Sequence, residues 1–313
     1  MNQWFLGAYA GYANLPSAQK TPKSEALYRE GLLQLPFIRG LELPFYEDIH
    51  ETDSNSQIDS LPKSWDYIIT TLPGTMNALA QNTLYGLASP DDSGREAALN
   101  RLKRVKQRVD EIHNNHGRKS IQAIEVHSAP RGNIASQDSL RRSLETLLAW
   151  NWDGVQLILE HCDAWHADGE FSKGFLTLQS ELATIGNLPI HVGLNWGRSV
   201  LEGRRTETIH RHIELAGRKL KSLFFSGTAI SDPLYGTWQD NHAAIRLDSS
   251  EVWESTGSLL TQEAIEDCKE FIQQPDLLLG LKVQPFPTTL TIDQRLSFLK
   301  QQLEAVNAAY ISA

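Results

Sequence analysis

The chain has 313 residues, 41% hydrophobic and 21% charged, which is room for one large α/β barrel or two ordinary domains and enough to bury a core without disulfides or metals. Its net charge of −9 argues against a nucleic-acid partner, because phosphate binding draws on clustered Lys and Arg, and no apolar run reaches the roughly 20 residues of a membrane span. The two cysteines, Cys162 and Cys268, are too few for a disulfide framework and lack metal-knuckle spacing, which fits a cytoplasmic protein.

In chain order, "MNQWFLGAYAG" has no basic region ahead of its apolar stretch, so it reads as a first strand (4–9) and not as a signal peptide. A helical pattern follows at 24–34, then strands at 38–45 and 67–72, a long helix at 93–115, and a strand at 121–127. The alternation continues with helix 136–149, strand 155–160, helix 177–186, strand 190–195 and helix 204–218. Strand 222–226, helix 261–273, strand 277–283 and helix 292–309 complete it. Ser24, Ser136 and Thr261 stand where N-caps belong. The connections 46–66 and 227–260 show no single clear helix. Eight strand runs alternating with helices predict a single (β/α)8 TIM barrel, one domain over 1–313, with a doubly wound sheet plus a small appended domain as the alternative.

Successive strand residues face opposite sides, so the apolar set marks the helix-facing side and the remainder points to the barrel axis. Leu41, Leu43 and Phe45 leave Glu42 inward; Ile124 and Val126 leave Glu125 and His127. Val155, Leu157 and Leu159 leave Glu160, and Val192 and Leu194 leave His191, Gly193 and Asn195. On the last strand Gly280 and Lys282 point inward, and Ser226 is the inward choice on the aromatic seventh strand. Several of these residues fall at strand carboxyl ends, where barrels of this kind place their active sites. Unpaired buried charge is costly, so three glutamates, a histidine and a lysine there point to chemistry; a salt-bridged plug such as Glu160 with Lys282 is the structural alternative.

The loops add Arg131 in "SAPRGN" and Arg198, Arg204 and Arg205 in "WGRSVLEGRR". The segment "SGTAISDPLYGTWQDNHAA" is long, punctuated by glycine and rich in aromatic and polar residues, as in a lid, and supplies Trp238, Asp240 and His242. Arg204 and Arg205 read as solvated helix-start charges, and Cys162 as a small buried filler.

The stretches "RGLELPF", "TLPGTM", "IEVHSAPR", "LILEHCDAW", "LNWGRS", "FFSGT" and "TWQDNH" together resemble an uncharacterised bacterial and fungal TIM-barrel family of unknown function. More broadly, the strand endings resemble the xylose-isomerase-like superfamily of sugar isomerases, epimerases and metal-dependent apurinic endonucleases. That broader resemblance implies a divalent metal held by carboxylates and a histidine from the later strands. Here Glu160 matches a ligand position, but Asn195, Ser226 and Lys282 stand where ligands are expected. No cofactor is therefore favoured. A lysine ammonium in a ligand's place repels a metal and can substitute for its positive charge. A metal on the other side would draw on Glu125, His127, Glu160, His161 and Asp163.

The reading that follows is a carbohydrate-active isomerase or epimerase acting on a sugar or sugar acid. Glu160 or Glu125 serves as general base, Lys282 stabilises the oxyanion and His127 shuttles protons. Glu42, Arg131, Asn195, Trp196, Arg198, Trp238, Asp240 and His242 are the substrate-binding candidates, the arginines suiting an acidic substituent. The rivals are a glycoside hydrolase with paired glutamates, with Trp165, Trp196 and Trp238 stacking on sugar rings, a Schiff-base lyase using Lys282, and a non-catalytic sugar-binding barrel. The oligomeric state stays open.

Overall fold

The computed structural model describes residues 4–47, 60–167, 169–247 and 257–311. Eight strands close a parallel barrel in sequence order: β1 (Trp4–Leu6), β2 (Ile38–Pro44), β3 (Asp66–Thr70), β4 (Ile121–Val126), β5 (Gln156–Glu160), β6 (His191–Asn195), β7 (Leu220–Phe225) and β8 (Leu278–Leu281). The expected (β/α)8 barrel is what the chain forms. Ten helices lie among the described residues: α1 (Ala8–Ala13), α2 (Pro22–Leu32), α3 (Leu72–Gln81), α4 (Asp92–His116), α5 (Gln137–Leu148), α6 (Leu178–Ile185), α7 (Trp196–Gly203), α8 (Glu207–Ala216), α9 (Gln262–Phe271) and α10 (Ile292–Ile311). None is long and apolar enough to cross a membrane. The chain packs as two compact units: a β2–β6 unit (40–194 with 218–222) and a β1–β8 unit (1–39, 195–217 and 223–313).

In the β2–β6 unit, α4 illustrates how pattern becomes structure. Ala98, Leu102, Val105, Val109 and Ile112 recur at helical spacing and are all buried. Asp91 caps the helix by accepting from the Gly94 N–H at 2.7 Å, and Gly117 ends it at φ 66°. Burying each Val or Ile contributes about 1.5–3 kcal/mol, so a charge at Val105 would undo the helix's seat. Parallel pairing sets β4 against β5, with Glu125 opposite Ile158, and β5 against β6, with Glu160 opposite Gly193.

In the β1–β8 unit, Phe5 pairs with Gly280. A Cβ at Gly280 would stand 2.2 Å from Phe224 Cε1, so the missing side chain gives the Phe224 ring its place. α10 is held by Arg295, which is fully buried and donates to Leu290 O at 3.0 Å, Gly11 O at 2.9 Å and Thr288 O at 2.6 Å.

The structure corrects several element expectations. The first strand ends at Leu6 and the chain turns directly into α1. Helix α3 fills "LPGTMNALAQ", where no helix is expected, and takes Leu72 from the expected strand 67–72; Pro73 lies in its first turn, where a missing N–H costs nothing. The expected helix 204–218 is the shorter α8, and α7, which has no counterpart among the expected helices, precedes it, with Arg204 between them in the left-handed region (φ 56°). No loop precedes α7, because Asn195 both ends β6 and caps the helix. On α2 the N-cap is Thr21, not Ser24, which occupies the third helical position and whose Oγ accepts from the Thr21 N–H at 2.9 Å. Parts of the two unassigned connections, 48–59 and 248–256, lie outside the described residues.

Candidate active site at the strand ends

In the β2–β6 unit the inward faces carry Glu42, Glu125, His127 and Glu160, each 3% exposed or less. Strand alternation places them, and the hydrogen bonds separate their roles. Glu125 sits one strand pitch below His127 and accepts from the Ser222 hydroxyl at 3.0 Å. A Cβ at Gly193 would stand 2.5 Å from Ser222 Oγ, so glycine at that position leaves room for this bond. Glu125 is thus a buried residue tied to β7.

His127 and Glu160 form the tightest ionisable contact of this set, with Nε2 2.7 Å from Oε2 and both side chains buried. The other ring nitrogen fixes the protonation. Thr71 donates its single hydroxyl hydrogen to Glu125 O at 2.9 Å, and its oxygen lies 3.3 Å from His127 Nδ1. Thr71 therefore accepts there, and Nδ1 carries a hydrogen. The Nε2–Oε2 contact must then hold a second proton, as imidazolium with carboxylate or imidazole with carboxylic acid. Thr71 was not among the sequence candidates; its signal was its place one residue past β3, beside a histidine two strand positions along.

His161 and Asp163 face away from this pair. His161 Nδ1 lies 2.7 Å from Glu181 Oε2 on α6, and Glu181 Oε1 accepts from the Ser128 hydroxyl. Asp163 accepts from the backbone N–H groups of Ser172 (2.6 Å) and Lys173 (2.9 Å) and so shapes the β5–α6 loop. The alternative metal set of Glu125, His127, Glu160, His161 and Asp163 therefore does not assemble as expected. His127 and Glu160 are joined instead by Cys162, their ligand atoms all within 4.8 Å of one another. Cys162 is fully buried, as the filler reading expects, and has the same parity as Glu160, two residues on. Arg131 is exposed.

In the β1–β8 unit, Asn195 is fully buried; its Oδ1 accepts from the Arg198 N–H at 3.3 Å, and its Nδ2 has no partner among the described residues. Arg198, 2% exposed, donates from Nε to Asp240 Oδ2 at 3.2 Å, so two of the loop candidates pair with each other. His242 Nδ1 lies 2.9 Å from Ser226 Oγ and 3.6 Å from Asp240 Oδ1. Trp238 and His242 both hold positive φ, 47° and 51°, and Arg204 lies 5.0 Å over the Trp238 ring. Non-glycine residues in that region are uncommon and point to a segment whose shape is specified. Lys282 is buried, its Nζ 5.4 Å from the Tyr9 ring centroid and 5.6 Å from that of Phe224. Trp196 is fully buried at the start of α7, and its Nε1 has no hydrogen-bond partner among the described residues.

The later strands thus end on an amide, a hydroxyl and an ammonium: Asn195, Ser226 and Lys282. This donor set does not fit the carboxylate-and-histidine metal site that the superfamily resemblance implies, since an ammonium is no ligand and repels a cation.

Solved structures share the fold at low identity. A putative xylose isomerase from Rhodospirillum rubrum superposes with a TM-score of 0.59 at 10% identity, over 98% of this chain and 99% of that one. The IolI protein with a bound zinc atom gives 0.57 at 13%, over all of both chains. D-psicose 3-epimerase with D-tagatose from Clostridium cellulolyticum H10 gives 0.52 at 16%, over 98% and 97%. An uncharacterised protein of Salmonella typhimurium strain LT2 is 34% identical over 98% of this chain and 97% of its own length. The family model described as Domain of unknown function (DUF4862) matches residues 5–298, and the chain belongs to that family.

Proposed function

We propose that this protein is an enzyme that isomerises or epimerises a small carbohydrate, a sugar or sugar acid, by moving a proton at a carbon next to a carbonyl. The observation that carries the reading is the buried His127–Glu160 pair, which holds one exchangeable proton at the carboxyl ends of β4 and β5. In its ion-pair form Glu160 accepts the carbon-bound proton and His127 delivers its Nε2 proton to the carbonyl oxygen, giving a neutral enediol; Glu160 then returns the proton to the former carbonyl carbon while His127 takes the hydroxyl proton from the neighbouring carbon's oxygen, which becomes the new carbonyl. Acid–base groups so placed contribute about 10²–10⁴-fold each. Thr71 holds the ring by accepting from Nδ1, and so keeps Nε2 as the working nitrogen. The likeness of fold to D-psicose 3-epimerase and to a putative xylose isomerase supports the substrate class.

Asn195 offers its unpartnered Nδ2 to a ligand oxygen, since a buried donor left unsatisfied costs about 1–3 kcal/mol. Lys282 is assigned the positive charge that a metal supplies elsewhere. Arg198, already paired with Asp240, holds an acidic substituent of the substrate, with Arg131 secondary. The test is incubation of a panel of ketoses, aldoses and their acids with the protein in D2O, read by proton NMR. Loss of one carbon-bound hydrogen next to the carbonyl is expected with the native chain and not with Glu160→Gln or His127→Asn. Exchange that both variants retain overturns the assignment.

A further inference from the structure

The His127–Glu160 pair has a third neighbour that proton transfer does not use. Cys162 is buried, and its Sγ lies with His127 and Glu160 in a set whose ligand atoms are all within 4.8 Å. We infer that His127 Nε2, a Glu160 carboxylate oxygen and Cys162 Sγ form a binding site for a borderline-soft divalent cation, zinc above all. This goes beyond the proposed reaction and does not rest on it, since it needs only the three side chains.

The argument is one of donor chemistry and distance. Nitrogen, oxygen and thiolate sulfur together suit zinc, which takes Zn–N of about 2.0–2.1 Å, Zn–O of about 2.0–2.2 Å and Zn–S of about 2.3 Å. Tetrahedral ligands at those lengths stand about 3.3–3.6 Å apart. The Nε2–Oε2 contact, now 2.7 Å, has to open by well under an ångström, and the sulfur, within 4.8 Å of both, has to close by at most about 1–1.5 Å. Magnesium and calcium, which take hard oxygen ligands, gain nothing from the thiol and imidazole. The support behind the ring is already built: Nδ1 of His127 donates to Thr71, as the outer nitrogen of a metal-bound histidine usually does to a fixed acceptor.

Binding is linked to protons. The cation takes the place of the proton shared between Nε2 and Oε2, and the thiol must lose its own, so two protons leave for each ion bound. An ion held here also ties up the carboxylate and imidazole that the proposed reaction uses. In this one respect the inference rests on the proposed reaction: under that reading zinc acts as an inhibitor.

The experiment titrates the metal-free, reduced, full-length chain with Co2+ as a spectroscopic stand-in. One ion per chain is expected, with a thiolate-to-cobalt charge-transfer band in the near ultraviolet that zinc displaces. Cys162→Ser should lose the band. Cys268→Ser, whose thiol is pushed up to about 12 by burial in the helix layer, should keep it. Thr71→Val, which leaves the three ligands intact, should weaken binding by about 10–100-fold. A native chain without the band overturns the inference whether or not any variant folds; so does a band that survives Cys162→Ser. Because every readout is binding, a failed metal site and a failed reaction assignment stay distinguishable.

Discussion

Histidines sit at both ends of the strands in the β2–β6 unit, and the two ends hold them differently. At the carboxyl ends, His127 meets Glu160 and His161 meets Glu181, each at 2.7 Å. At the amino ends no carboxylate comes as close: the nearest, Asp153, lies 3.7 Å from His113 Nδ1, and the shorter contacts are to neutral groups. His113 Nε2 accepts from the Ile121 N–H at 3.1 Å, His116 Nδ1 lies 2.8 Å from Ser120 Oγ, and Lys219 and Lys221 bear on His191. Burial pushes all three of these imidazoles below their ordinary value. One residue type thus serves two purposes: neutral wedges at the amino ends, and proton holders beside carboxylates at the carboxyl ends. Such a difference agrees with the proposed reaction at the carboxyl ends.

The comparison breaks most visibly at Glu160 and His127. Glu160→Gln keeps the shape and removes the base, so turnover of a substrate found by deuterium exchange should fall about 10²–10⁴-fold with little change in binding. His127→Asn should fall in the same range. Near-native turnover in both would make this end as structural as the other. Lys282→Met should also abolish turnover, and added divalent metal should not restore it. Loss of native activity on chelation, with recovery on adding zinc, manganese or magnesium, would overturn the metal-free reading and the inhibitory role of zinc together.

A comparable effect, on stability rather than rate, is expected at Glu181. It bridges two buried partners, Ser128 and His161, and is itself fully buried. Glu181→Ala strips both at once, and removing one partner from a buried pair typically costs about 3–5 kcal/mol. Urea denaturation checks this, with Glu181→Gln recovering part of the loss. A change below about 1 kcal/mol would mean that His161 does not depend on its carboxylate.

Much of this was readable from the chain. Alternation on single strands was enough to send Glu42, Glu125, His127, Glu160, Asn195 and Lys282 to positions where all are buried, because a one-residue slip would turn an apolar set into the bore. Pairing was not readable. Glu160 takes its partner from β4, Glu125 from β7 and His161 from α6, distances along the chain of 33, 97 and 20 residues that no local pattern encodes. Arg198 and Asp240, proposed separately as ligand contacts, turn out to bind each other across 42 residues. Helix α7 escaped notice for a local reason: a strand that ends on its own cap leaves no loop to mark the change of period.

The smallest effect lies at the amino ends and concerns pH. His113, His116 and His191 all have folded-state values below the ordinary 6.5, with burial as the largest cause. For His116 the charges of Arg118, Lys63 and His113 act in the same direction, and for His191 those of Lys221 and Lys219; for His113, Asp153 and Asp110 oppose the shift. A depressed imidazole value means that, as pH falls past about 6.5, the unfolded chain binds protons that the folded chain refuses. The stability these groups contribute is therefore complete above that pH and is lost as pH falls through the folded values. Urea denaturation at pH 7.5 and 5.5 should show the native chain weaker at the lower pH. His191→Gln, which keeps a polar side chain and removes the titration, should narrow that gap without much changing stability at pH 7.5. An unchanged gap in both His191→Gln and His116→Gln would mean that the acid sensitivity arises elsewhere and that the amino-end histidines are not held neutral.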